Sequence, residues 1–175
     1  MENNYETFEK ENHLKPDFDK FEFDALNSWD FGWSILELIN VGTDSESELE
    51  LSKRFSLGQK ALYFFWYLDG EVTNGGFIQF YWNGKRKYLP AIIKGLELIG
   101  DKDMLNLVDK ADKLYIENKE KFDSGKTQED FSKLYDDLIE FDDLDGIFYD
   151  KHDKTMNLIE KYARQNPEEF VNLRK

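Results

Sequence analysis

The 175-residue sequence contains no cysteine, only three prolines and only two histidines. Without cysteine there is no disulfide, no thiolate zinc centre and no cysteine nucleophile, which fits a reducing compartment. Long hydrophobic runs are also missing. The longest is "ALYFFWYL", Ala61 to Leu68, far short of the roughly 20 residues that a membrane-spanning helix needs. The first residues, "MENNYETFEKENH", have neither a basic n-region nor an apolar h-region and do not read as a secretory signal. The expected location is therefore the cytoplasm, with no membrane contact.

Basic residues are scarce: 23 Lys and Arg stand against 37 Asp and Glu, for a formal net charge of -14. Proteins that bind nucleic acid directly neutralise phosphates with Lys and Arg, and an anionic membrane surface asks for the same residues. Neither partner is expected. A basic protein is an allowed partner; the plainer alternative is that the acids keep the chain soluble.

What the sequence does contain is apolar material for a core. Hydrophobic residues make up 40% and aromatics 16%, too much for a disordered acidic chain even at a mean hydropathy of -0.71. The charge is uneven. Residues 1–70 carry 15 acids and 6 bases, residues 71–100 carry 2 acids and 4 bases, and residues 101–175 carry 20 acids and 13 bases. A near-neutral aromatic centre is thus flanked by two acidic arms.

Apolar spacing is helical nearly throughout. Trp29, Trp33, Leu36 and Ile39 step by three and four, as do Leu57, Ala61, Phe64, Phe65 and Leu68. Further stripes run over Leu89–Ile99, Met104–Tyr115, Phe131–Leu138 and Met156–Ala163. Pro90 and Gly100 bracket the first of these, Asp101 is a candidate N-cap for the second, and Thr127 with Asp130 forms a capping-box pattern for the third. "NPEEFVNL" predicts a last short helix, capped by Asn166. Strand signals are thin. The expected fold is all-α, one compact domain of six to eight helices spanning 25–175, behind a polar acidic leader at 1–24. In that leader Phe18, Phe21 and Phe23 alternate with acids and could clamp onto the core or a partner. Val41–Glu50 and Asn118–Lys126 are the expected loops.

The stretch "GEVTNGGFIQFYWNG", Gly70 to Gly84, stands apart. Gly70 is expected to end one helix and Asn74 to cap the next, with Gly75 and Gly76 allowing a sharp turn. Glu71, Asn74, Gln79 and Asn83 have two open readings. They can satisfy the backbone of a half-buried turn, where an unpaired polar group costs about 1–3 kcal/mol. They can instead line a pocket for a small polar ligand. Glu71 could serve as an acid–base group there, but no second carboxylate, histidine or placed serine accompanies it. No catalytic residue and no cofactor is assigned.

Here a family resemblance emerges. "LSKRFSLGQKALYFFWYLDGEVTNGGFIQFYWNG" followed by "AIIKGLELIG" resembles the bacterial DNA-mimic protein family. The pattern consists of Gln59, Glu71-Val72-x-Asn74-Gly75-Gly76-Phe77-x-Gln79-Phe80, Asn83 and the Gly100 stop, and covers roughly residues 50–165. The resemblance implies a compact helical fold. It also implies a decoy role, in which displayed carboxylates occupy a basic DNA-binding protein, such as a regulator. It implies no catalytic residues.

The densest acidic run is "YDDLIEFDDLDGIFYD", Tyr135 to Asp150, with seven acids and no Lys or Arg. Asp136, Asp137, Glu140, Asp142, Asp143 and Asp145 are the expected partner contacts; a solvated helix face is the plain alternative. Duplex DNA carries one charge per roughly 1.7 Å of axis, so 14 net charges would cover about 24 Å if all faced one way. One chain could imitate a short site, and a homodimer a longer one. "FDDLDG" is not a calcium loop, because the register that fits Gly146 puts Phe141 at the first ligand position. His13 has Asp17 at i+4, but Pro16 between them argues against a helix there, and His152 has only Phe148 and Met156 at the helical positions, so no metal site is expected.

Overall fold

A computed structural model describes residues 13–39, 45–124 and 127–175. The first half of the acidic leader and parts of both expected loops lie outside the described residues. The all-α expectation holds. Among the described residues there are nine α-helices: α1 Lys20–Ala25, α2 Ser28–Ile39, α3 Ser45–Ser52, α4 Leu57–Trp82, α5 Leu89–Ile99, α6 Lys102–Glu117, α7 Lys119–Ser124, α8 Gln128–Asp137 and α9 Glu140–Gln165. The count exceeds the expected six to eight because α1 and α7 have six residues each, too few to show an apolar period. No helix among the described residues is long and apolar enough to cross a membrane.

Helix α4 is the axis of the molecule, packed on α5 and α9, with α6 closing against both. Its apolar residues are buried on most sides, from Ala61 through Leu68 to Tyr81. Ser56 and Gln59 start it with a reciprocal capping box: each backbone N–H donates to the other's side chain, at 3.0 and 2.9 Å. The Gln59 amide then donates to Leu14 O at 2.5 Å and Phe170 O at 3.0 Å, tying both ends of the chain to one helix start. Gly95 lets α5 approach α4, since a Cβ there would lie 2.8 Å from the Ala61 Cα. The expected caps at Asp101 and Thr127–Asp130 are present. Asp101 also accepts from the Thr155 hydroxyl of α9 at 2.6 Å.

Four expectations need correction. Residues Ser45–Glu50 are helical rather than loop, because Glu48 is buried and accepts from the hydroxyls of Tyr63 and Tyr88. Lys119–Ser124 is likewise helical, drawn in by the buried Phe122. The tail is not an α-helix, and Asn166 and Pro167 open only a single 3-10 turn. After a 3-10 turn at Pro167–Glu169, strand β2 (Asn172–Arg174) pairs in parallel with β1 (Asp17–Asp19), Phe18 opposite Leu173. Finally, Gly70 does not end its helix, and α4 continues through it.

Candidate functional site

The stretch singled out in the sequence is the kink of α4. Gly75 and Gly76 break the helical dihedrals, and Gly76 has φ +72° and ψ -178°, a combination essentially confined to glycine. Breaking a helix frees carbonyls and N–H groups that must be re-satisfied. The α8–α9 layer does this. The Tyr135 hydroxyl donates to Gly75 O at 2.7 Å, Tyr149 donates to Val72 O at 3.2 Å, and the Asp145 carboxylate accepts from Phe77 N–H at 2.8 Å. Asp145, not Asn74, therefore caps the second half of α4. Burial pushes its carboxyl pKa up to about 6, against the lowering effect of the Phe77 bond.

On the other side of the bend lies a cavity of about 430 Å³. One wall is aromatic: Trp33, Tyr63, Trp66 and Tyr67, with the two indoles 5.9 Å apart. The other is polar: Glu71, Asn74, Gln79 and Asn83. All four residues of the sequence-predicted pocket thus come together, joined by hydrogen bonds. Glu71 Oε2 accepts from Gln79 Nε2 at 2.9 Å and Asn83 Nδ2 at 2.7 Å, and Gln79 Oε1 accepts from Asn74 Nδ2 at 3.0 Å. The kink makes this possible, since it lets Glu71 on one half of α4 face Gln79 and Asn83 on the other. Lys85 Nζ sits 4.0 Å from Glu71 Oε1 and 4.8 Å over the Tyr67 ring. The aromatic wall comes partly from Trp33 on α2, which the motif's own spacing gave no means of finding.

The acidic run spreads over the end of α8 and the start of α9. Asp136, Glu140, Asp142 and Asp143 are exposed. Among the described residues no Lys, Arg or His pairs with any of them. Asp137 differs: it shares a hollow with Lys121 and Lys133, so a run free of bases in sequence is not free of them in space. Asp145 turns inward onto the kink. Asp150 and Asp153, absent from the expected contacts, are exposed on α9. With Asp142 and Asp143 they lie on its outer side, away from the buried stripe of Phe141, Phe148, Thr155 and Ile159. This register was readable from 3.6-residue spacing once α9 was known to start at Glu140.

Behind this surface, His152 Nε2 lies 2.9 Å from Asp69 Oδ1 of α4 and Nδ1 lies 3.1 Å from Asp153. Its pKa is raised, chiefly by the neighbouring Asp69 carboxylate. Among the described residues, no three His, Cys, Asp or Glu side chains are grouped so as to hold a metal ion.

A family model described as "DMP19-like protein" matches residues 53–166. The chain is also 28% identical over 124 residues to the DNA mimic protein DMP19 of Neisseria meningitidis serogroup B (strain ATCC BAA-335 / MC58). That alignment covers 66% of this chain and 72% of the relative.

Proposed function

The chain belongs to the DMP19-like protein family, and from that premise we propose that it acts as a DNA mimic, occupying the DNA-binding surface of a basic protein such as a regulator. The observation that carries the reading is the exposed carboxylate face of α9, Asp142, Asp143, Asp150 and Asp153, joined by Asp136 and Glu140. Eleven positions separate Asp142 from Asp153, about 16 Å along the helix. One DNA strand presents about five phosphates over that length, at roughly 3.4 Å each. The face therefore suits a contact of half a helical turn of DNA, and a homodimer would double it. The lack of cysteine supports a reducing, cytoplasmic setting for this role.

The catalytic reading of Glu71 has less support, because one oxygen of its carboxylate holds two amides and no second acid–base group accompanies it.

The test is capture of DNA-binding proteins from nuclease-treated lysate, with elution by salt and competition by duplex DNA. The bound protein is then titrated against the triple reversal Asp142→Lys, Asp143→Lys, Asp150→Lys. Loss of binding is expected. Asp145 stays unchanged in the variant because it holds the kink. Affinity within about twofold of wild type, under half a kcal/mol, would rule out this face.

A further inference from the structure

The hydrogen bonds of the polar wall fix the orientation of every amide in it. A carboxylate only accepts, so Gln79 and Asn83 must each turn an NH2 group toward Glu71 Oε2. Gln79 then has its oxygen left over, and Asn74 must turn its own NH2 group toward that oxygen. Each amide NH2 carries two N–H donors and uses one here, so the rim keeps both donors and acceptors. Among the described residues, Glu71 Oε1 and the amide oxygens of Asn74 and Asn83 accept no hydrogen bond. The one formal charge among these four residues is the Glu71 carboxylate, so a positively charged ligand with several donors suits the rim better than a neutral or anionic one.

The opposite wall narrows the chemistry. Trp33 and Trp66 offer indole faces, the rings best suited to holding a cation, and Trp33 is 49% exposed, so the site is open to a group entering from solvent. Lys85 already holds a cation at one edge, over the rings of Tyr67 and Tyr88. Its 4.0 Å separation from Glu71 Oε1 is too long for a hydrogen bond, so it leaves that oxygen's bonding capacity unused. A guanidinium is planar, stacks on aromatic rings and brings five donors in a fork that matches a carboxylate. A cavity of about 430 Å³ has room for its alkyl stem.

We propose that the cavity between Trp33, Trp66 and the Glu71–Asn74–Asn83 rim is a binding site for an alkylguanidinium group. The group stacks against the indoles and donates to Glu71 Oε1 and the flanking amide oxygens. It is supplied by an arginine side chain of a protein partner or by a free arginine-like small molecule. The site is separate from the carboxylate face of α9, and neither depends on the other.

The test is a titration of the full chain with N-acetylarginine methylamide and, separately, with free arginine, followed through the indole N–H signals of Trp33 and Trp66. The neutral isostere N-acetylcitrulline methylamide is the control. Saturable shifts of both indoles with the guanidinium compounds, and none with the citrulline compound, are expected. Trp33→Ala should weaken binding by about threefold or more, the size of an exposed cation–π contact. Glu71→Gln keeps an acceptor for both amides while removing the charge, and should weaken it by about tenfold. Lys85→Met should strengthen it about threefold by removing a like charge. Equal affinity for the blocked and free forms identifies a protein arginine as the source; a preference of more than about tenfold for free arginine identifies a small molecule. Absence of a saturable shift, an equal response to citrulline, or insensitivity to both Glu71→Gln and Lys85→Met overturns the proposal. The triple reversal on α9 should leave this titration unchanged, so the two readings fail independently.

Discussion

Two glycines of α4 illustrate how differently one residue type can act. Gly76 occupies a backbone region that side chains avoid, at a cost of about 1–3 kcal/mol, and a Cβ there would lie 2.1 Å from Asp145 Oδ2. Gly76→Ala is therefore expected to lower unfolding free energy by about 2 kcal/mol or more, measured by urea denaturation. Gly70, exposed and six positions earlier, sits in regular helix with nothing within 4 Å of an added Cβ. Gly70→Ala should stabilise by about 0.5–1 kcal/mol. The sequence marked both as breakers, and local signals could not separate them. What separates them is the partner across the fold, since Asp145 and Tyr135 supply the bonds that make a break at Gly75–Gly76 tolerable. Asp145 itself shows the same limit. In sequence it is one acid among seven, and only its position on the inner side of α9 reveals a cap.

At the scale of elements, the long stripes were legible because apolar period survives any partner. The stripes Leu57–Leu68 in α4 and Met156–Ala163 in α9, the Asp101 and Thr127 caps and the Gly100 stop follow from local chemistry, whereas the full 26-residue lengths of α4 and α9 do not. The short pieces were not legible. The three-residue strands are too brief to alternate, and the tail beyond Asn166 carries good helix-start residues that tertiary contacts override. Phe170 is fully buried and its ring lies against Gly58, where a Cβ would come within 2.6 Å. Phe170→Ala should cost about 3–5 kcal/mol, and chemical denaturation measures it directly. A separate terminal helix would predict a much smaller loss.

The seam between α4 and α9 should also respond to pH. Asp145 titrates near 6 in the folded chain against an ordinary value of 3.8, so its contribution is fully present below 3.8 and is lost as pH rises through about 6. His152, raised above its ordinary 6.5, contributes fully below 6.5 and loses that contribution as pH climbs through its higher folded value. Both act in the same direction. Melting temperature should fall as pH rises from about 4 through 6 and on past the folded value of His152, and Asp145→Asn should flatten the lower part of that decline and His152→Gln the upper part. An unaltered profile in both variants would show that overall charge alone sets the slope.

At the scale of the whole molecule, the net charge of -14 makes stability and binding respond oppositely to salt. Self-repulsion among like charges destabilises the compact state and is screened by added salt, so the melting temperature should rise as sodium chloride goes from low to moderate concentration. Binding to a basic partner through α9 should weaken over the same range, as attraction between opposite charges is screened in turn. The triple reversal at Asp142, Asp143 and Asp150 tests both terms together. Each change adds two positive charges, taking the net charge from -14 to -8. With less repulsion, the variant should melt at or above the wild-type temperature in low salt and show a shallower salt dependence, while losing its partner. A variant that melts lower and binds less would only have unfolded. One that melts higher and binds as before would confine these acids to solubility. Loss of binding in a protein that is at least as stable is the outcome that a DNA-mimicking face requires, since there the unfavourable crowding of carboxylates is retained for the partner they meet.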